Sequence, residues 1–348
     1  MSSELKNCLW GEIATLEYGK SLRDYSDVKE GIPVYGTNGP IGYTEKSLSD
    51  KPGVIIGRKG AYRGVHYSPG PFFVIDTAFY LKPKIDDLDI KYAYYQLLTQ
   101  DINIMDSGSA IPSTSRDDFY GLELSLPSLS TQRRIASILT ALDDKIELNR
   151  RMNETLEGIA QALWGEWFGK YASGEEELPE GWRWGKLDEV LEIKYGKDHK
   201  NLESGHIPVY GSGGIMRHVS KSIYDDDSIL IPRKGTLSNL FYVSKPFWSV
   251  DTMFYSKIKM RFSGKYLFML LKSLKLETMN IGSAVPSLTT EILNNLEILI
   301  PDEDVLMQFD HVVSSCFEIK DENENQSHTL TALRDVLLPR LMRGEVMF

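Results

Sequence analysis

The chain has 348 residues, 42% hydrophobic and 25% charged, which excludes wholesale disorder, a collagen-like repeat and a disulfide-dense miniprotein. The net charge of -10 speaks against a uniformly basic surface, yet residues 179–299 carry 16 basic and 13 acidic groups, so a local DNA-binding face stays open. No run reaches the ~18–20 apolar residues of a membrane span, the opening MSSELKNCLWGEIATLEYGK has no basic-then-apolar leader, and Cys8 and Cys316 are expected to be reduced thiols of a cytoplasmic protein.

In chain order, residues 1–125 come first, rich in Gly, Pro, Tyr and β-branched residues. Short apolar runs such as Val54-Ile55-Ile56 and Phe72-Phe73-Val74-Ile75, set between turn residues, predict a strand-rich domain. IKYAYYQLL at 90–98 predicts a helix inside it. Residues 126–170 follow, with a seam of Ile135, Leu142, Asn149, Leu156 and Leu163 at heptad spacing. A companion seam takes Ile138, Lys145, Met152, Ile159 and Glu166. Sustained over about five heptads without proline, this predicts a long helix packed on another helix, capped by Ser130 or Thr131.

Residues 171–299 repeat the first domain. IPVYGTNGPIGYT from Ile32 answers IPVYGSGGIMRHV from Ile207 at an offset of 175, as Arg58-Lys59-Gly60 answers Arg233-Lys234-Gly235. Asp76-Thr77 answers Asp251-Thr252 at the same offset, and Tyr18-Gly19-Lys20 answers Tyr195-Gly196-Lys197 at 177. Gly108-Ser109-Ala110-Ile111-Pro112-Ser113 matches Gly282-Ser283-Ala284-Val285-Pro286-Ser287 at 174. Five collinear matches mean a tandem duplication in which both copies share one fold. Residues 300–348 then repeat the helix, with seam residues Phe309, Cys316, Asn323, Leu330 and Leu337 and companions Val312, Ile319, Gln326, Leu333 and Arg340. Asn149 and Asn323 fall at equivalent seam positions and are expected to pair with one another, so fixing the register of the helix pair. The expected fold class is therefore α+β: two repeated strand-rich domains separated by an antiparallel pair of long coiled-coil helices with pseudo-two-fold symmetry.

Two catalytic look-alikes fail on inspection. Ala14 to Ser21, ATLEYGKS, loosely fits a phosphate loop, but Ala14 replaces the first glycine and Glu17 sits where phosphate must approach. Asp302 with Glu318 and Lys320 loosely fits a metal-dependent nuclease, but Glu318 and Lys320 lie along a predicted helix and the first repeat lacks the pattern. No catalytic residue and no metal ligand set is expected.

The repeated phrases resemble the specificity subunit of a type I restriction–modification system. LSLPSLSTQRRIASILTALDDKIELNRRMNETLEGIAQALWGEWF at Leu124–Phe168 is similar to that family's central conserved region, and Leu178-Pro179-Glu180-Gly181-Trp182 to the opening of its second recognition domain. LRDVLLPRLMRGEV at Leu333–Val346 resembles its closing helix, while PDEDVLMQF at 301–309 departs from the usual helix opening. The resemblance implies a non-catalytic scaffold that binds double-stranded DNA through two target-recognition domains, at residues 1–125 and 171–299. It also implies a bipartite, gapped site with two different half-sites. Two modification subunits would methylate adenine with S-adenosylmethionine, and restriction subunits would supply ATP- and Mg²⁺-dependent translocation and cleavage. No cofactor would sit in this chain. A self-contained nuclease and a coiled-coil interaction protein without a DNA role are the competing functions.

For DNA contact the candidates are Arg58, Lys59 and Arg63 with Arg233 and Lys234, in glycine-flanked loops. Lys20 and Arg23, with Lys197, His199 and Lys200, follow the first strand of each repeat, and Ser109, Ser113, Ser283 and Ser287 flank the Gly–Pro loops. Trp164 and Trp167 at the helix end are candidates for a partner interface.

Overall fold

The computed structural model describes residues 6–105, 112–279 and 287–346, which fall into two units, 1–149 with 325–348 and 150–324. The first unit runs β1 (Lys6–Leu9), α1 (Trp10–Ile13), β2 (Ala14–Tyr18), β3 (Ile32–Gly36), β4 (Gly39–Thr44), β5 (Gly53–Gly57), β6 (Val65–Ser68), β7 (Phe73–Val74) and β8 (Ala78–Pro83). It continues through α2 (Ile90–Leu98), α3 (Arg116–Tyr120), β9 (Glu123–Leu126) and the start of α4 (Leu129–Trp164). After a π-helical turn at Gly165–Gly169, α5 (Lys170–Ala172) leads into β10 (Arg183–Lys186), α6 (Leu187–Val190), β11 (Leu191–Tyr195), β12 (Ser204–Gly211) and β13 (Gly214–Val219). Then come β14 (Ser228–Pro232), β15 (Phe241–Val243), β16 (Trp248–Ser249), β17 (Met253–Ile258), α7 (Gly264–Ser273), α8 (Thr290–Asn294), β18 (Glu297–Ile300) and α9 (Glu303–Met342).

The duplication read from the sequence is a duplication of topology. Each unit has a four-stranded antiparallel sheet, ordered β2-β8-β5-β6 in one and β11-β17-β14-β15 in the other. Each has a three-stranded sheet with one parallel pair, β4-β3-β7 and β13-β12-β16, and a two-stranded ribbon, β1-β9 and β10-β18. The central strands β5 and β14 are buried along their whole length, so GVIIG and SILIP read as continuous rather than alternating apolar runs. The helix expected at 90–98 is α2, whose buried face places Tyr92, Tyr95 and Leu97 in the first unit's core, in one cluster with Val54 and Ile56 of β5 and Leu139 of α4. No helix among the described residues is long and apolar enough to cross a membrane.

Two refinements concern the long helices. The cap of α4 is Ser128 rather than Ser130 or Thr131: its hydroxyl oxygen accepts from the Thr131 N–H at 3.4 Å. In the first unit the segment 129–149 runs antiparallel to 325–342, as the Arg334–Asp143 ion pair (3.0 Å) and the Asn149–Gln326 hydrogen bond (2.9 Å) require. The first seam is covered as expected, with Ile135, Asn149, Phe309 and Asn323 buried. The companion seam is not: Met152, Ile159, Val312, Ile319 and Leu333 are exposed.

The seam asparagines share one contact across the two units. Asn149 Nδ2 donates to Ser327 Oγ at 3.2 Å as well as to Gln326, and Asn323 Nδ2 donates to Asn153 Oδ1 at 2.9 Å. Residues 149 and 327 become 323 and 153 under the 174-residue offset, so one polar contact occurs twice. A buried amide with fixed partners at one height opposes sliding of the helices.

Candidate nucleic-acid interface

The basic side chains of each unit gather where three strand ends meet. In the first unit these are the end of β2, the end of β5 and the start of β8. Gly19 and Lys20 donate their backbone N–H groups to Ala78 and Val74 carbonyls at 3.1 and 2.9 Å, drawing the chain tightly against the neighbouring loop. A Cβ on Gly19 would lie 2.0 Å from the Ile75 carbonyl oxygen, and one on Gly196 would lie 2.0 Å from that of Val250, so both repeats require glycine here. Arg58 and Lys59 leave β5 and donate backbone N–H to the Thr77 carbonyl at 2.9 and 3.3 Å. Thr37 Oγ1 bonds the Lys59 and Thr77 carbonyls, and Lys59 forms an isolated bridge with Ser113.

The second unit repeats the backbone bonds of this arrangement. Arg233 and Lys234 N–H groups meet the Thr252 carbonyl at 2.9 and 3.3 Å, Lys234 bridges to Ser287, and Lys197 N–H meets the Ser249 carbonyl at 2.8 Å. Lys20, Arg23, Lys59, Lys197, Lys200 and Lys234 are exposed, while Arg58, Arg233, His199, Ser113 and Ser287 are half-buried. Ser109 and Ser283 lie outside the described residues.

An aromatic ring organises each cluster. Tyr18, 48% exposed, packs edge-on against buried Phe79 at 4.9 Å, and the Arg58 guanidinium lies 4.8 Å from its ring centroid. Arg58 Nη1 also donates to the Asp76 carbonyl at 2.9 Å. Tyr195, 51% exposed, packs on Phe254 at 5.1 Å with Arg233 at 5.3 Å and an Arg233 Nη1–Asp251 carbonyl bond of 3.5 Å. In the first unit Arg116 also lies over Tyr18, at 5.2 Å, and donates from Nε and Nη2 to the Tyr120 hydroxyl at 3.2 and 2.9 Å. Reasoning on the sequence passed over these three residues. The recurring Tyr-Gly-Lys phrase carried the signal for Tyr18 and Tyr195. Arg116 carried none, since Thr290 occupies its equivalent position.

Two expectations are corrected. Arg63 is 2% exposed: its Nη2 donates to the carbonyls of Ile102, Asn103 and Met105 at 3.2, 2.8 and 2.8 Å, so it ties the fold together and does not face a ligand. Trp164 is 7% exposed and half-buried Trp167 packs beside it, in a cluster with Phe168, Tyr266 and Phe309 inside the second unit. They are core anchors, not an exposed interface; a helix end docking on a domain buries its aromatics just as a partner would.

Among the described residues, no three His, Cys, Asp or Glu side chains are grouped to hold a metal ion. Lys320 of the nuclease look-alike is bound to Glu157, at 2.6 Å, and Glu157 also pairs with Lys272. Burial pushes the Glu157 carboxyl up, but Lys320 and Lys272 outweigh it and hold the group below the usual carboxylate range.

The sequence model of the family described as "Type I restriction modification DNA specificity domain" matches residues 4–158 and 179–326. The chain is 24% identical over 393 aligned positions to the type I restriction enzyme MjaIX specificity subunit of Methanocaldococcus jannaschii, covering 99% of this chain and 89% of that one. It is also 24% identical to the type I restriction enzyme HindI specificity subunit of Haemophilus influenzae, over 68% of this chain and 71% of the other. The fold matches the crystal structure of the type I restriction–modification S subunit from M. genitalium with a TM-score of 0.65 and 22% identity, over 98% and 96% of the two chains.

Proposed function

The chain belongs to the type I restriction modification DNA specificity family, and from its role there as the DNA-recognition subunit we propose how it reads DNA. Each unit recognises one half of a bipartite site through its Tyr–Arg–Lys cluster. The carrying observation is that the same cluster, on the same three strand ends, occurs once in each of two units of identical topology. Exposed Lys20, Lys59, Lys197 and Lys234 serve phosphates, and Arg58 and Arg233 serve base edges. The half-sites differ because the clusters differ around a common plan, as Arg116 against Thr290 illustrates.

The chain itself performs no chemistry in this proposal. It carries two modification subunits that use S-adenosylmethionine, and restriction subunits that use ATP and Mg²⁺. The exposed apolar pairs at heptad spacing, Met152 with Ile159 and Val312 with Ile319, supply a surface for a modification subunit's helix. Leu333 and Val336 offer a similar pair on the first unit. The test is a gel shift on duplex DNA over a salt series, with Mg²⁺ present throughout. Binding that weakens steeply with salt and leaves DNA uncut supports the proposal. Cleavage by the chain alone, or salt-independent binding, overturns it.

A further inference from the structure

We propose that Tyr18 and Tyr195 are positioning residues for base reading, each holding an arginine so that its free edge recognises guanine, and that Arg116 braces this device in the first unit only. The inference rests on the proposed DNA reading and names the side chains that decide sequence preference within it.

Three observations carry it. The first is the ring exposure. A tyrosine at the end of a strand normally buries its apolar body, yet these rings are about half exposed with their inner edges fixed on Phe79 and Phe254. The second is the arginine geometry. Arg58 lies over its ring and spends only Nη1 on the Asp76 carbonyl, leaving the Nε and Nη2 N–H groups, which lie along one edge of the guanidinium. That edge is the fork that pairs with guanine O6 and N7. Arg233 repeats this over Tyr195, again with only Nη1 engaged. A long side chain held in advance loses less rotamer freedom when it binds, so the ring raises discrimination without touching a base. The third is the asymmetry. Arg116 spends Nε and Nη2 on the Tyr120 hydroxyl, so its own guanine-binding edge is occupied and it acts on Tyr18 as a brace. Thr290 and Asn294 stand at the equivalent positions in the second unit and cannot form this brace.

The test selects from randomised duplex DNA with the full-length chain and sequences what is retained. Arg58→Lys keeps the positive charge and loses the fork, so the base pair whose preference it abolishes marks the position Arg58 reads. Tyr18→Leu is expected to relax that same position by about 2- to 13-fold and leave the other half-site unchanged. Tyr18→Phe keeps the ring and is expected to retain the wild-type preference. The double variant Tyr18→Leu/Arg58→Lys is expected to be no worse than Arg58→Lys, because Tyr18 acts through Arg58. Tyr195→Leu should relax only the second half-site, and Arg116→Ala only the first.

Wild-type preference in Tyr18→Leu, loss at a different base pair, or equal damage from Tyr18→Phe overturns the positioning role. If Tyr18→Leu does not fold, Tyr18→Phe, Arg116→Ala and the Tyr195 variant decide in its place. If the wild-type chain enriches no sequence, the DNA reading fails and this inference falls with it. Enrichment of two half-sites that ignore these variants sinks only the inference.

Discussion

Replacing Arg63 with alanine should cost folding stability and leave intrinsic DNA contact intact. Its guanidinium is shut away from water and its Nη2 bonds three carbonyls in the segment from Ile102 to Met105. Its own N–H donates to Asn103 Oδ1 at 2.7 Å, which survives the substitution. Each stranded carbonyl costs about 1–3 kcal/mol if left dry, less where one water serves several, so a total of roughly 3–5 kcal/mol is expected. For a domain of this size a loss of 1 kcal/mol lowers the melting temperature by about 2–4 °C, so the first unit should melt roughly 6–20 °C early. Ser238 stands at the corresponding position of the second unit, whose transition should not move. The assay is a thermal melt followed by circular dichroism, beside a binding isotherm taken well below the transition. An unshifted melt with weakened DNA binding would refute the structural role and return Arg63 to the interface.

Three further outcomes are expected. Arg58→Ala should relax one half-site and Arg233→Ala the other, each by about 1–3 kcal/mol in a competition binding assay with single-base variants. Gly19→Ala and Gly196→Ala push a Cβ to 2.0 Å from a carbonyl oxygen and should destabilise their own unit by about 1–3 kcal/mol or more in chemical denaturation. Glu157→Gln should cost about 1.5–3 kcal/mol near neutral pH, where the carboxylate binds Lys272 and Lys320. Because the folded Glu157 titrates below its unfolded value, its contribution is present above the unfolded pKa and is lost as pH falls through the folded one. Denaturation at a series of acid pH values should therefore show the gap between wild type and variant closing downward.

Most of the architecture was legible because it is written twice. The five collinear matches locate equivalent positions of the two units, and their described residues lie on or beside strands that pair the same way in both. The helix at 90–98 and the first helical seam follow from periodicity. What periodicity does not give is how many neighbours a helix has. Met152 and Ile159 have the spacing of core residues and are nevertheless exposed. Side-chain direction was equally hidden. Arg58 and Arg63 stand five residues apart in one basic loop, yet one faces out over Tyr18 and the other turns inward to backbone carbonyls. Trp164 was misplaced for a related reason: an aromatic at a helix end serves a partner or its own domain with the same sequence signature.

The central claim is that each unit reads its own half-site, and an adenine-methylation map of a genome expressing this chain with modification subunits tests it most directly. The account predicts methylation at one motif made of two unlike half-sites separated by a constant number of unspecified base pairs, and a second map from Arg233→Ala cells in which only one half is relaxed. Methylation at an uninterrupted motif, or relaxation of both halves by that single substitution, would contradict it.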